Sequence, residues 1–344
     1  MANPVLTDAI ARVADGSDLD ADEAAAVLEE IMQGRSSEPE TAAFLIALRT
    51  KGETVAEIAG LARTMRALAT HVEVKRKDLL DTAGTGGGKP TFNVSTTAAL
   101  IAAGAGCAVA KHGNRSATGV CGSADVLEQL GARIDLEPAA VADCIDELGF
   151  GFMFAPAHHA AMKHVVPIRK ALAVRTIFNF LGPLTNPAGA RRQLIGVADP
   201  AYLEPLAAAL AELGAESALV VSSEDGLDEI SVAGRTRYVE LSDGQISSGT
   251  LEAEQLGVAA APLDDLGGVS PADNAEITRA VLAGEQGARR SLAIVNAGAA
   301  IYVGGGAATI ADGARRAEEA VDSGAARELL ERFVAKTSEL APST

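Results

Sequence analysis

LLDTAGTGGGKPTFNVST, residues 79–96, is the stretch that decides the fold of this 344-residue chain. Leu79–Ala83 is a short apolar run typical of a buried strand, and the glycines after it predict a tight turn. A helix is predicted to begin near Ser95, and Ala108–Ala110 is a second strand. Strands that alternate with helices in this way favour a largely parallel α/β sheet.

The alternation continues to the end of the chain. Further helices are predicted at Ala124–Leu130, Pro138–Leu148, Tyr202–Leu213, Asn274–Leu282 and Ser291–Ile301, with two closing helices between Ala307 and Leu340. Further strands are predicted at Phe152–Phe154, Leu194–Val197, Ala218–Val221, Glu229–Val232 and Arg237–Leu241.

The first seventy residues have the apolar spacing of helices and no strand pattern. Asp20 is a predicted N-cap for a helix that runs through Met32. Glu38–Lys51 and Val55–Ala69 continue the helical pattern. We therefore expect a small helical domain at residues 1–74, joined by helices within about residues 165–190, and an α/β domain at residues 75–344.

Composition excludes several classes of protein. A net charge of −17 opposes non-specific binding to nucleic acid or to an anionic membrane. Aromatic residues make up only 3% of the chain, which disfavours a nucleic-acid reader built on stacked rings. Cys107, Cys121 and Cys144 lack metal-binding spacing and are expected to be buried thiols. The amino terminus has no signal-peptide pattern, so a soluble, cytoplasmic protein is expected.

Acidic residues are absent from two long segments. Residues 82–124 and 148–198 contain no Asp or Glu, where an even spread of the 46 acids would place about six and about seven. Buried helices and glycine turns could account for this bias. The functional interpretation is that both segments wall an anion site in an otherwise acidic protein.

Three motifs carry candidate chemistry. The glycines after Asp81 and the segment Thr91–Thr96 supply backbone and hydroxyl donors at a helix N-terminus, where anions bind. Lys111–Gly119 is a second polar loop after a strand, which could also be a solvated turn. Asp228 and Glu229 are adjacent carboxylates of the kind that bind Mg²⁺ with substrate phosphates, although such pairs are usually solvated.

Together these segments resemble the anthranilate phosphoribosyltransferase family. The matching motifs are Gly84–Gly87, Thr91–Thr96, Lys111–Arg115, Gly122–Asp125, Pro167–Arg169, Phe178–Pro187 and Asp225–Glu229, which span nearly the whole chain. The resemblance implies a small helical domain plus an α/β domain of the nucleoside phosphorylase-like type. It also implies a Mg²⁺-dependent homodimer that converts anthranilate and phosphoribosyl pyrophosphate in tryptophan biosynthesis.

The resemblance assigns site residues by motif position. It implies catalytic roles for Lys111, His112 and Arg169, contacts to anthranilate from Gly84, Asn114 and Arg169, and metal binding by Ser95, Asp228 and Glu229. Contacts to phosphoribosyl pyrophosphate are implied for Gly84, Gly87, Gly88, Thr91, Asn93, Val94, Ser95, Thr96, Lys111, His112, Gly113, Asn114, Arg115, Ser116, Ala117, Thr118, Gly119 and Ser123.

The chain departs from the family pattern at two positions. The family usually has Asp directly after the GTGG motif, where this chain has Gly88, and the stretch to Thr91 is one residue shorter. Val120 stands where the family often has Lys. The change at Gly88 leaves the number of bound metal ions open.

Two other functions remain open at the level of sequence. One is a related enzyme of the same fold, either a nucleoside phosphorylase or a transferase that accepts another aromatic amine. The other is a catalytically silent regulatory or nucleic-acid-binding relative. Lys111, Arg169 and the Asp228–Glu229 pair oppose the silent relative because they retain the chemical groups of the reaction.

Overall fold

The computed structural model describes residues 2–116, 121–262, 266–268 and 270–341. Its helices are α1 Pro4–Ala14, α2 Ala21–Met32, α3 Glu38–Lys51, α4 Val55–Ala67, α5 Val94–Gly104, α6 Ser123–Gln129, α7 Pro138–Leu148, α8 Ala155–His158, α9 Val166–Leu172, α10 Phe178–Leu181, α11 Leu203–Glu212, α12 Pro271–Leu282, α13 Ala288–Val303, α14 Ile310–Asp322 and α15 Ala325–Leu340. Its strands are β1 Leu79–Gly84, β2 Ala108–Gly113, β3 Phe150–Phe154, β4 Arg192–Gly196, β5 Ser217–Ser223, β6 Thr236–Ser242 and β7 Gln245–Leu251.

The N-terminal helices begin where side chains cap them. Asp20, Ser37 and Thr54 each accept a backbone N–H from the first turn of their helix. In each case the side chain of the Glu three residues later accepts the backbone N–H of the cap residue. Such reciprocal capping satisfies two backbone donors that the helix itself cannot. The prediction that Asp20 starts a helix through Met32 is confirmed, and the next two helices match their predicted starts.

The seven strands form one sheet in the order β3-β2-β1-β4-β5-β6-β7. The first five run parallel, and β6 and β7 are antiparallel additions at one edge. The predicted α/β fold with a mostly parallel central sheet is thus confirmed. The carboxyl ends of β1, β2, β4 and β5 share one edge, so the loops that follow them lie together, as in other open α/β sheets.

Side chains alternate between two cores on the two sheet faces. In β4, Leu194 belongs to the core under α5 and α13, whereas Ile195 belongs to the core that the N-terminal helices share. The second core also takes in Val165, Phe178 and Leu181. The helices of the 165–190 segment therefore share a core with the N-terminal helices, and the division into domains at residues 74 and 75 stays a prediction.

Two strand predictions differ from the structure. Glu229–Val232 was expected to be a strand but is irregular, because Asp225 accepts bonds from Ser223 Oγ, Leu227 N and Ser231 Oγ and so folds this segment into a loop. Strand β7 escaped prediction because its side chains are mostly exposed and show no apolar alternation.

The prediction that all three cysteines are buried is only partly correct. Cys107 and Cys144 are buried, Cys121 is half-buried, and all three are free. No helix in the part of the chain that the structure describes is long and apolar enough to cross a membrane.

Candidate active site

The turn after β1 is a glycine loop that approaches the start of α5. Gly86 and Gly87 have φ of +66° and +91°, which residues with a Cβ adopt only with strain. Asn93 precedes α5 without capping it, and its Oδ1 is buried with no hydrogen-bond partner within the described residues. Thr85 Oγ1 and Thr96 Oγ1 are buried and unpaired in the same region. Buried polar atoms are normally paired, so these oxygens fit a polar ligand.

Lys111 brings a cation to the base of this loop. It lies at the middle of β2, is only 2% exposed, and donates from Nζ to the Thr82 carbonyl at 2.6 Å and to Ser95 Oγ at 3.4 Å. Burial lowers the pKa of Lys111, while Asp81 and Glu229 oppose that shift. Its ammonium group thus lies at the N-terminus of α5, where its charge and the helix dipole would both stabilise an anion.

The second predicted loop, Lys111–Gly119, begins later than expected: Lys111, His112 and Gly113 belong to β2, and the loop starts at Asn114. Ser123 Oγ donates to the Asn114 carbonyl at 3.3 Å, which ties the loop to the start of α6. The Arg115 guanidinium pairs with Asp125 at 3.1 Å and with Glu128. In this structure Arg115 is therefore engaged by α6, and its contact with phosphoribosyl pyrophosphate stays a prediction.

Not every residue of this loop can be placed. Gly113 is the last residue of β2, and Ser116 continues the loop after Asn114. Ala117, Thr118 and Gly119, which the resemblance also assigns to phosphoribosyl pyrophosphate, lie outside the described residues, as does Val120.

The acid pair faces the glycine loop from the β5–β6 connection. A Cβ at Gly196 would overlap the backbone oxygen of Asp228, and one at Gly88 would lie 2.5 Å from Asp228 Oδ1. A Cβ at Gly84 would lie 3.1 Å from Asp228 Oδ2. Three glycines therefore allow the acid-bearing loop to pack directly against the ends of β1 and β4.

Both carboxyl groups have a pKa above the ordinary value. Burial raises the pKa of Asp228, although a hydrogen bond from the Gly86 backbone opposes the shift. Burial and the neighbouring Asp228 raise the pKa of Glu229 to about 8, against the attraction of Lys111 and a bond from the Ser95 backbone. Two adjacent carboxyl groups with so little countercharge fit a divalent cation.

The donor set suits magnesium rather than a metal held by protein alone. Among the described residues, no group of three or more His, Cys, Asp or Glu side chains could hold a metal ion. Mg²⁺ is normally held by one or two carboxylates together with substrate phosphates and water. Asp228, Glu229 and the Ser95 hydroxyl, which Lys111 contacts, are consistent with that kind of site.

Arg169 lies on α9 in the second acid-free segment. Its guanidinium carbon is 5.7 Å from the centre of the Phe178 ring, and burial together with Arg175 lowers its pKa. No carboxylate pairs with Arg169 in the described ranges, so its planar fork is available to an anionic group.

His112 is a neutral side chain in the wall of the site. Its Nδ1 is 3.3 Å from the Gly182 carbonyl, and its ring centre is 5.1 Å from that of His159. Burial and the two nearby histidines lower the pKa of His112 to about 3. His112 therefore acts near neutral pH as an uncharged hydrogen-bonding group, with its Nε2 buried and unpaired in the described structure.

Several residues that hold the site were not singled out from sequence. Asp81 is fully buried and accepts bonds from the His112 backbone at 3.1 Å and from Asn186 Nδ2 at 2.7 Å. Arg175 donates to the Thr85 carbonyl at 3.1 Å and lies against the Phe180 ring. Only the absence of acids near Arg175 indicated a role for it, because Thr85, whose carbonyl it bonds, is 90 residues away in the chain.

The comparisons with known proteins agree with this geometry. The family model described as "Glycosyl transferase family, helical bundle domain" matches residues 7–69, and that described as "Glycosyl transferase family, a/b domain" matches residues 76–327. An anthranilate phosphoribosyltransferase from Rubrobacter xylanophilus is 52% identical over 98% of this chain and 99% of its own length.

Solved structures of the same enzyme are also similar. That from Thermus thermophilus has a TM-score of 0.92 at 45% identity and covers 96% of this chain and 99% of its own. That from Saccharomyces cerevisiae in complex with PRPP and Mg has a TM-score of 0.88 at 27% identity, covering 97% and 98%. Because a relative above half identity aligns along almost its full length, the chain belongs to the anthranilate phosphoribosyltransferase family.

Proposed function

We infer that this protein transfers the phosphoribosyl group of 5-phosphoribosyl 1-pyrophosphate to the amine of anthranilate. The products are N-(5-phosphoribosyl)anthranilate and pyrophosphate, in the second step of tryptophan biosynthesis from chorismate. One observation carries the proposal. The N-terminus of α5, which no side chain caps, the buried cation Lys111 and the pair Asp228–Glu229 converge at the carboxyl edge of the sheet.

Phosphoribosyl pyrophosphate is proposed to bind along the glycine loop and the start of α5. Support comes from the buried, unpaired oxygens of Thr85, Asn93 and Thr96, which need polar partners. The N-terminal end of α5 would attract phosphate oxygens, and its helix dipole adds to the attraction of Lys111. Thr91, Gly87 and Gly88 would complete the same wall.

Magnesium is proposed to be held by Asp228, Glu229 and Ser95 together with oxygens of the pyrophosphate. The ion, when bound, would neutralise charge on the pyrophosphate as it leaves. The chain's own contribution is to keep two carboxylates within reach of the α5 N-terminus, where the Ser95 backbone bonds Glu229.

Anthranilate is proposed to lie on the other wall, against Arg169, Asn114 and Gly84. A guanidinium fork matches a carboxylate in the plane of the aromatic ring and gives two parallel hydrogen bonds. Half-burial beside Phe178 strengthens such a contact because little water competes for it.

The reaction needs alignment more than proton transfer. The amine nitrogen forms a bond to C1 of the ribosyl group as the C1–oxygen bond breaks, and pyrophosphate takes that electron pair. The new bond leaves a positive charge on the nitrogen, which then releases one proton to pyrophosphate or to water. An aromatic amine already offers its lone pair, and holding two reactants in line is worth roughly 7–11 kcal/mol. Neutral His112 could orient the amine by a hydrogen bond, so we expect no single indispensable general base.

A homodimer is proposed on the face formed by α1, α3 and α9. Helix α3 packs against both α1 and α9, and the three helices expose Val5, Ile46 and Val166, each more than one third accessible. Apolar side chains exposed on neighbouring helices are candidates for an interaction surface. Ile46→Glu is expected to shift the protein from dimer to monomer in sedimentation equilibrium, and an unchanged dimer would exclude this face.

The reaction is tested by following anthranilate fluorescence. We expect the signal to fall when phosphoribosyl pyrophosphate and Mg²⁺ are both present, and to persist when either is omitted. No loss of signal, combined with phosphorolysis of a nucleoside by the same preparation, would reassign the protein to a nucleoside phosphorylase.

The acceptor assignment is tested with Arg169→Ala. The KM for anthranilate should rise roughly 30-fold, because the lost charged hydrogen bonds are worth about 2 kcal/mol. Lys170→Ala, which removes the exposed neighbouring cation, is the matched control and should leave both KM values near those of the wild type. Equal rises in the KM of both substrates for Arg169→Ala would contradict the assignment.

A further inference from the structure

The loop that carries Asp228 and Glu229 is held by a side chain of helix α13. Residues 224–235 leave the sheet after β5, so their backbone lacks the regular strand pairing of the segments on either side. The side chain of Asn296, in the middle of α13, takes the place of that pairing at Ile230. Its Oδ1 accepts the Ile230 N–H at 2.9 Å, and its Nδ2 donates to the Ile230 carbonyl at 2.9 Å.

Asn296 is itself fixed. Its Nδ2 also donates to the Leu292 carbonyl at 2.9 Å, one helical turn earlier in α13. The side chain is fully buried, and the adjoining residues Val295 and Ala297 of α13 are buried too. A carboxamide in such surroundings is tolerated only when its polar atoms are bonded, and here three bonds fix its orientation.

The position of Ile230 determines where Asp228 and Glu229 lie. Ile230 follows Glu229 directly, so fixing both of its backbone groups restricts where the Glu229 and Asp228 backbones can lie. The other end of the loop is set by Asp225, whose carboxylate accepts bonds from Ser223 and Ser231. Helix α13 also packs along α5, whose N-terminus carries Ser95. Helix α13 thus contacts both parts of the proposed magnesium site, namely the acid-bearing loop and the helix that carries Ser95.

We propose that Asn296 is a positioning residue that sets the metal affinity of the site by holding the Asp228–Glu229 loop against the N-terminus of α5. This inference rests on the proposed magnesium role of those carboxylates. Asn296 contacts no substrate and acts through the Ile230 backbone. Residues that orient metal ligands in this indirect way typically change metal affinity or activity by 10–100-fold when replaced.

The chain offers a control in Asn3. This residue precedes α1, is 8% exposed, accepts the Val5 N–H at 3.0 Å and donates from Nδ2 to the Arg35 carbonyl at 3.1 Å. Like Asn296 it is a buried asparagine whose carboxamide bonds backbone groups of another segment. Its side-chain bonds lie within the N-terminal helices and involve neither the acid-bearing loop nor α5. A general loss of stability on removing a buried asparagine should therefore appear in both variants, and weaker metal binding only in the Asn296 variants.

The experiment compares Asn296→Ala and Asn296→Asp with Asn3→Ala. Mn²⁺ binding in the presence of inorganic pyrophosphate is followed by electron paramagnetic resonance, and folding by thermal unfolding without ligands. We expect both Asn296 variants to weaken Mn²⁺ binding about tenfold, and Asn3→Ala to change it less than about twofold. Asn296→Asp keeps the acceptor for the Ile230 N–H, so it serves if Asn296→Ala does not fold.

Two further variants separate the possible failures. If Asp228→Asn combined with Glu229→Gln binds Mn²⁺ like the wild type, the proposed metal role of the pair is wrong. If that variant loses binding but the Asn296 variants keep wild-type affinity, or lose it no more than Asn3→Ala, the role of Asn296 is wrong. Adding Asn296→Asp to Glu229→Gln should give less than the sum of the separate shifts, because both act on the same ligand.

Discussion

Replacing Asp228 with Asn and Glu229 with Gln is expected to lower kcat/KM by at least about 10³-fold at any Mg²⁺ concentration, since single groups that stabilise developing charge are worth 10²–10³. The substitutions keep the size of both side chains, so the packing of Asp228 against Gly84, Gly88 and Gly196 should survive. What is lost is the negative charge that would hold a divalent cation beside Lys111 and the N-terminus of α5.

The control for this variant is the same change on a surface pair. Glu318 and Glu319 are adjacent, exposed carboxylates on α14, and converting both to Gln should leave the Mg²⁺ requirement unchanged. Initial rates are measured over a wide range of Mg²⁺ at saturating phosphoribosyl pyrophosphate. Normal rates in the Asp228–Glu229 variant would make these carboxylates structural and would remove the metal assignment.

Introducing Asp at Gly88, as the family usually has, is expected to lower kcat/KM roughly 10²-fold rather than to improve metal binding, because displacements of about 1 Å in a site have that cost. Any Cβ at this position would lie 2.5 Å from Asp228 Oδ1 and 2.8 Å from the Asp228 backbone nitrogen. The loop must then move, and the added carboxylate also repels a side chain whose pKa is already raised.

Two glycine substitutions separate size from charge. Gly88→Ala adds only the Cβ and should produce most of the loss. Gly267→Ala places a Cβ where no atom lies within 4 Å, and should be nearly neutral. The Mg²⁺ dependence and the thermal midpoint are measured for each variant. Activity of Gly88→Asp at or above that of the wild type would show that the loop can accommodate the family's usual residue.

The Gly88 prediction also illustrates the limit of family comparison. The sequence shows that an expected carboxylate is absent, and that alone suggests a weakened metal site. The structure shows instead that Asp228 packs against Gly88 and Gly84, so the glycine is required by its neighbour. The loss of one acid and the close approach of another are two parts of one local arrangement.

Where the sequence succeeded, the determining interactions were local. The start of α2 follows from Asp20 and Glu23, which are three residues apart, and the turn after β1 follows from consecutive glycines. The strand before the Lys111 motif was predicted from its apolar run, but it continues through Gly113, three residues further than expected. Local patterns fail where a segment is shaped by distant partners. Glu229–Val232 has the composition of a strand, but side chains from Asp225 and Asn296 hold it as a loop.

The sequence by itself determined the order of the elements, the helix caps, the glycine loop and the family motifs, because each depends on residues close together in the chain. Only the tertiary structure decided which elements meet. It placed Lys111 Nζ against Ser95, paired Arg175 with Thr85, and joined Asn296 to a residue 66 positions earlier. Such contacts depend on how strands and helices pack, and the spacing of residues along the chain carries no record of that geometry.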